Sequence, residues 1–249
     1  MTSAAYFDAA ESLVSKVRNT QSEAIRHAAV AMAEGISKGG LVNLFGSGHS
    51  VLPVMDVFPR YGSFPVFRPL VDSRLSWFNV LGSGGVTELL WLERAEGYVA
   101  NFLKNYPLKP EDTMVIYSHG GLNAAGIEAA LYASERGLTT VAVTSVANLS
   151  KNKATHSSGK RLAELVDIVI DNCVQPEDAV VPVEGWAGPV AALSTLSVIT
   201  ITMALTAELA HQLAERGIKL PVFVSPNNAN VPPDNNQCVF DYYRRVSQR

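Results

Sequence analysis

Apolar and polar positions along this chain change rhythm at regular intervals. Over residues 5–36, Leu13, Val17, Ile25, Ala28, Ala29 and Met32 recur at a roughly helical period, which predicts a long helix stopped by Gly39 and Gly40. LVNLFG (41–46) is a short apolar run ending in glycine, the pattern of a parallel strand buried on both faces. The alternation then repeats. VFRPLV (66–71), TMVIYS (113–118), TTVAVTS (139–145) and DIVIDN (167–172) read as strands, and PVFVS (221–225) as a last one. Between them, helices are expected through TELLWLERAEGYVANFLKNY, LNAAGIEAALYASERG and KRLAELV, over about 187–216, and in DYYRRVSQR at the end.

Strands alternating with helices imply right-handed crossovers and a parallel sheet covered on both faces. No Pro/Gly/Ser linker divides the chain, so residues 1–249 are read as one α/β domain with residues 1–38 as an N-terminal helical extension. SPNNANVPPDNN is dense in turn formers and reads as a loop.

Composition narrows the picture only slightly. The 249 residues are 47% hydrophobic and 17% charged, ordinary for a globular α/β protein. A net charge of −3 gives no electrostatic reason to expect nucleic acid or an anionic membrane as partner. An acidic protein that binds anions must concentrate its donors in a pocket. Cys173 and Cys238 stand in neither CxxC nor Cys/His zinc spacing and read as reduced cysteines. The histidines are too scattered for a metal signature, so no metal and no cofactor is expected. The N-terminus carries early acids and no apolar core, unlike a signal peptide, and the cytoplasm is the expected compartment. Val190–Leu205 is apolar, but Ser194, Thr195, Ser197, Thr200 and Thr202 interrupt it, and it is shorter than the roughly 20 residues a bilayer needs. It reads as a helix buried in the core or at a subunit interface.

Candidate chemistry concentrates in two loops. Gly46-Ser47-Gly48-His49-Ser50 follows the first strand directly. Glycines let backbone N–H groups approach an anion, and the following helix offers its positive end. The third glycine of a dinucleotide fingerprint is missing, since position 51 is Val51, and no Gly-Lys-Ser/Thr follows as a Walker loop requires. Ser118-His119-Gly120-Gly121-Leu122-Asn123 again separates a strand from a helix. Each loop alone is equally an ordinary βα turn. Two of them at the carboxyl ends of parallel strands face one crevice, where open α/β sheets bind ligands. Ser145, after the next strand, is a third hydroxyl candidate.

The two loops resemble those of SIS (sugar isomerase) domain proteins. The likeness extends to a single-domain bacterial subgroup related to phosphoheptose isomerases, through five ordered segments: Gly46–Asp56, Leu92–Tyr98, Ser118–Asn123, His156–Lys160, and Asn235-Asn236 ahead of Tyr243–Arg245. The resemblance implies a three-layer αβα sandwich on a five-stranded parallel sheet, and a sugar phosphate as ligand. It places the phosphate on Ser47, Gly48, Ser50, Ser118, His119, Gly120 and Asn123. It also implies a homodimer or homotetramer whose subunits share sites. Three departures stand out. The second serine of the family's S-x-S-G loop is Gly120 here, the subgroup's paired glutamates become Met55-Asp56, and its terminal His-Asn pair becomes Asn235-Asn236.

An aldose–ketose isomerase needs a base near C2 and a group that opens the sugar ring. Glu93 is the candidate base, because the apolar stretch around it would bury its carboxyl and raise its pKa. The competing reading is a surface acid paired with Arg94. His49 and His156 are the candidates for ring opening. Asp56 and Arg60 are further pocket candidates, or an i,i+4 ion pair. His211 reads as structural or exposed, His27 as a residue of the N-terminal helix without a role in the site, Lys160 as a helix-start charge with phosphate contact as the alternative, and Glu96 as a solvated partner. Two functions follow: an isomerase working through an enediol, or a non-catalytic phosphosugar sensor or carrier. A sugar-phosphate lyase or etherase is a third. About 40 residues before the first strand are too few for both the DNA-binding module of SIS transcription factors and the fold's own first helix, so no such module is expected.

Overall fold

The computed structural model describes residues 2–228 and 230–247. Ala229 in the late loop and the last two positions of DYYRRVSQR lie outside the described residues. Helix α1 (Thr2–Ser37) is longer than the periodicity predicted. It ends where Gly39 takes φ 91° and Gly40 N–H returns to the Gly35 carbonyl at 2.9 Å, a left-handed glycine closure of a helix end.

Five strands, β1 (Val42–Gly46), β2 (Phe67–Pro69), β3 (Thr113–Ser118), β4 (Thr139–Thr144) and β5 (Ile168–Asp171), form a parallel sheet in the order β2-β1-β3-β4-β5. Its side chains divide by the two-residue period of a strand. Val42, Leu44, Val115, Tyr117, Val141, Val143, Ile168 and Ile170 face one layer. Phe45, Met114, Ile116 and Ala142 face the other. The first layer holds α1, α2 (Val51–Asp56) and α7 (Ser194–Glu215), and the second holds α3 (Val86–Leu92), α4 (Tyr98–Leu103) and α5 (Ala124–Ser134). This is the three-layer α/β sandwich the pattern implied. A short α6 (Val146–Lys151) follows β4, and α8 (Asn235–Ser247) buries Val239 and Val246.

Four elements differ from the sequence reading. The stretch 86–106 is not one helix: α3 stops at Leu92 with Glu93 as its C-cap residue, and α4 starts afresh from Gly97, its N-cap residue, at φ 88°. Buried Glu128 on α5 then caps α4 by accepting Gly97 N–H, Val99 N–H (3.0 Å) and Ala100 N–H (3.2 Å). KRLAELV forms only a short 3-10 turn at Leu162–Glu164. The helix expected from 187 starts at Ser194, because β7 (Val190–Ala192) pairs antiparallel with β6 (Ala179–Val181). Asp178 closes that hairpin and caps α7, accepting Leu193 N–H at 3.0 Å, Ser194 N–H at 2.7 Å and the Ser194 hydroxyl at 2.6 Å.

PVFVS is not a sheet strand. Its Phe223 exchanges hydrogen bonds with Gly62 and Ser63 at 2.8 Å each. The Asn236 side chain holds Val224 at both its N–H and its carbonyl, and Asn235 donates to the Val222 carbonyl. The paired asparagines therefore have a structural role. Helix α7 is long and apolar enough to cross a bilayer by length and composition, with half of its most apolar window buried. Val198, Ile201, Leu205, Leu209 and Leu213 bury in the core shared with α1.

Candidate functional site

In the order β2-β1-β3-β4-β5 the chain leaves β1 toward β2 and leaves β3 in the opposite direction. The carboxyl ends of β1 and β3 therefore flank the switch point where such sheets open a crevice.

The loop after β1 doubles back tightly. A Cβ at Gly46 would lie 2.2 Å from the Ser50 carbonyl oxygen, so only glycine fits. Gly48 takes φ 58°, and Ser50 N–H bonds the Ser47 carbonyl at 3.1 Å. The turn points the Ser47 hydroxyl at Glu93 Oε2, 3.0 Å away. His49 is exposed, its ring edge-on to Trp77 with centroids 4.4 Å apart.

Glu93 sits at the carboxyl end of α3 and is 7% exposed. Burial pushes its carboxyl above the usual range; the Ser47 hydroxyl, Arg94 and the Asn123 side chain, in that order, pull the other way. Arg94 Nη1 lies 3.4 Å from Oε1 with its guanidinium largely in solvent, so the pair does not undo the burial. The Glu93 carbonyl accepts Ala125 N–H at 3.0 Å. That bond joins the negative end of α3 to the positive end of α5, a favourable meeting of helix dipoles.

The loop after β3 supplies the opposite wall. Ser118 Oγ accepts Gly121 N–H at 3.1 Å, and a Cβ at Gly121 would meet Thr144 Oγ1 at 2.8 Å. A Cβ at Gly120 meets nothing within 4 Å. Asn123 is the N-cap residue of α5 but makes no capping bond with its side chain, which turns toward Glu93 instead. His119 points elsewhere. Its Nδ1 is 3.0 Å from Asn172 Nδ2, while Asn172 Oδ1 accepts Val174 N–H. That network assigns the lone pair to Nδ1 and the proton to Nε2, which is buried without a partner among the described residues.

Beside Glu93 and Asn123 opens a cleft of about 340 Å³ whose walls include Arg94, Glu96, Asn123, Ala124 and His156. Glu96 is not merely solvated. It accepts both the backbone N–H (2.8 Å) and the hydroxyl of Ser157, and lies 3.7 Å from His156 Nε2. Those bonds hold its carboxyl below the usual range. Ser158 N–H bonds His156 Nδ1 at 3.1 Å, and the His156 side chain is 7% exposed. Thus the Leu92–Tyr98 and His156–Lys160 segments are parts of one wall.

Ser47, Gly48, Glu93, Asn123 and His156 are brought together around this crevice and cleft. Other candidates are spent elsewhere. The fully buried Ser145 hydroxyl donates to the Val174 carbonyl at 2.7 Å, so it faces the protein rather than the crevice. Asp56 and Arg60 pair with each other at i,i+4 spacing across the end of α2. His211 pairs with Glu215, and His27 and Lys160 are exposed. No group of three or more His, Cys, Asp or Glu is placed to hold a metal among the described residues. Trp77, Glu128 and Asn172 escaped the sequence reading because each acts across a long separation that local pattern does not encode.

Comparison with known proteins decides the family. Residues 5–145, which carry both loops and Glu93, match the profile described as SIS domain. The chain belongs to the SIS domain family. Its relatives include a UPF0309 protein of Geobacillus kaustophilus, 33% identical over 97% of this chain and 94% of the relative. Another UPF0309 protein, from Streptomyces coelicolor, is 34% identical over 98% of this chain and 96% of its own. Among solved structures, a phosphoheptose isomerase from Francisella tularensis is similar at TM-score 0.55 and 17% identity, covering 85% of this chain and 100% of that one. The phosphoheptose isomerase of Neisseria gonorrhoeae is similar at TM-score 0.56 and 18% identity, covering 84% and 96%. At these identities the structures establish the shared SIS fold.

Proposed function

We propose that this SIS protein binds a sugar phosphate at the β1/β3 crevice and interconverts its aldose and ketose forms, with Glu93 as the base. The observation that carries this reading is the position of Glu93: a buried carboxyl hydrogen-bonded to Ser47 on one loop and approached by Asn123 on the other. A base of raised pKa holds a proton more readily, which suits abstraction from carbon at neutral pH. Ser50, the Ser118–Gly121 turn and Asn123 hold the phosphate, assisted by the first turn of α5 and the Arg94 charge. Glu93 takes the C2 proton to give an enediol and returns it to C1. The hydroxyl proton passes between O1 and O2 through a donor on the cleft wall, and His156, backed by Glu96, is placed to open the ring. The functional unit is a homodimer or homotetramer in the cytoplasm, with no nucleic-acid or membrane partner.

A second reading is a phosphosugar sensor or carrier. It is favoured by Gly120, where open space stands in place of the family's serine hydroxyl. Sugar phosphates incubated with the protein in deuterium oxide separate the two. An isomerase exchanges the C2 hydrogen and loses that exchange in Glu93→Gln while still binding; tight binding without exchange in the wild type selects the sensor.

A further inference from the structure

The crevice has a wall that neither loop supplies. Between β2 and α3 the chain runs through Ser76-Trp77-Phe78-Asn79-Val80-Leu81 and then three glycines in four residues. Trp77 is half-buried, whereas Phe78, Val80 and Leu81 are exposed. The Trp77 ring meets the His49 ring edge-on at 4.4 Å between centroids. The empty side of Gly48 faces both the indole and the base. From the point a Cβ there would occupy, Trp77 Cζ3 is 3.7 Å away, Leu89 Cδ2 3.8 Å and Glu93 Oε2 4.0 Å. Indole, leucine and carboxylate thus surround one small space at the tip of the β1 loop.

We propose that Trp77 is the positioning residue of this site: its indole shuts bulk water away from the Glu93 carboxyl and seats the His49 imidazole over the β1 loop. The assignment rests on Glu93 being the functional group of the crevice. An aromatic wall beside a carboxyl removes water without offering a hydrogen bond, so it disfavours the charged form. Burial is the largest influence on Glu93 and acts in that direction. The other charged or titratable groups near it are few. Arg94 stands beside it, His49 packs edge-on against Trp77, and Glu96 and His156 line the adjoining cleft. Ser47 and Asn123, which face it from the two loops, are uncharged.

The test needs no substrate. Carboxyl carbons of glutamate are labelled with ¹³C, Glu93 is assigned by the loss of its signal in Glu93→Gln, and its titration is followed in the wild type, Trp77→Phe and Trp77→Ala. The expected result is a Glu93 midpoint that falls toward the ordinary carboxylate range in Trp77→Ala and stays raised in Trp77→Phe. His49 ring protons should lose their ring-current shift in Trp77→Ala only. A Glu93 midpoint unchanged in Trp77→Ala overturns the proposal. If Trp77→Ala does not fold, Trp77→Leu is read the same way, since a leucine cannot cover the space an indole covers. Calorimetry of the wild type with sugar phosphates is read separately. Absence of binding there removes the phosphosugar reading, while the Glu93 titration still decides the role of Trp77.

Discussion

Replacing Glu93 with glutamine separates the cost of burying a carboxylate from its use. The substitution keeps size and shape, and the amide oxygen can still accept the Ser47 hydroxyl now 3.0 Å from Oε2. What changes is charge. A charge-assisted bond contributes about 1.5–3 kcal/mol and a neutral one about 1 kcal/mol, so the lost contact costs on the order of 1 kcal/mol. Against that stands the relief of a buried charge, because burial holds the folded-state pKa of Glu93 above its unfolded value. The sign follows from linkage. Below the unfolded pKa the carboxyl is protonated in both states and carries no penalty; as pH rises through the folded pKa the native state must ionise it, and stability falls. Glu93→Gln should therefore match or slightly exceed the wild type at neutral pH, within about 1 kcal/mol. For a chain of this size each kcal/mol moves the Tm by roughly 2–4 °C. The advantage over wild type should shrink as pH falls toward the ordinary carboxylate range. Proton exchange into substrate should drop by roughly 100- to 10,000-fold, the usual worth of a general base. Urea unfolding of both proteins at neutral pH and at pH 4, alongside the exchange assay, reads each number. A loss above about 2 kcal/mol at neutral pH would refute the reasoning, since it would mean that the carboxylate stabilises the fold as an ion pair.

Three further outcomes follow from the geometry. Glu128→Ala strands three N–H groups at the start of α4 and should cost about 3 kcal/mol by thermal unfolding; a loss under 1 kcal/mol would show that water replaces the cap. Gly120→Ser enters open space, so stability should hold within about 0.5 kcal/mol, while its hydroxyl should tighten phosphosugar binding by up to about tenfold in calorimetry. Gly121→Ser, one position on, combines φ 62° with a 2.8 Å approach to Thr144 and should destabilise by about 2 kcal/mol or more, checked by the same melting experiment.

The sheet was legible in the sequence because its strands are apolar on both faces. LVNLFG, TMVIYS, TTVAVT and DIVID need no partner to be recognised, whereas their spatial order depends on contacts made across the chain. Continuous apolar runs carry no period that separates strand from helix. Val190–Ala192 looks like the start of α7 until Ala179–Val181 is seen to pair with it. The restart of the helix at Gly97 is capped by Glu128, 31 residues later. The candidate base followed the same logic in reverse: Glu93 stands among apolar neighbours in LLWLERAEGY, and they bury it, whereas Glu96 in the same stretch stays exposed. Ser145 was misplaced because a hydroxyl's direction is set by its acceptor, here the Val174 carbonyl on a distant loop. Paired asparagines at 235–236 match a family segment, but their partners on 222–224 assign them to holding the chain.

The central claim is that the crevice between the β1 and β3 loops recognises a phosphorylated sugar. Calorimetric titration with a panel of sugar phosphates, each beside its unphosphorylated parent, tests it most directly. The account predicts binding by phosphorylated members alone, weakened at least tenfold in Asn123→Ala. Equal binding of the parents, or binding untouched by Asn123→Ala, would contradict it.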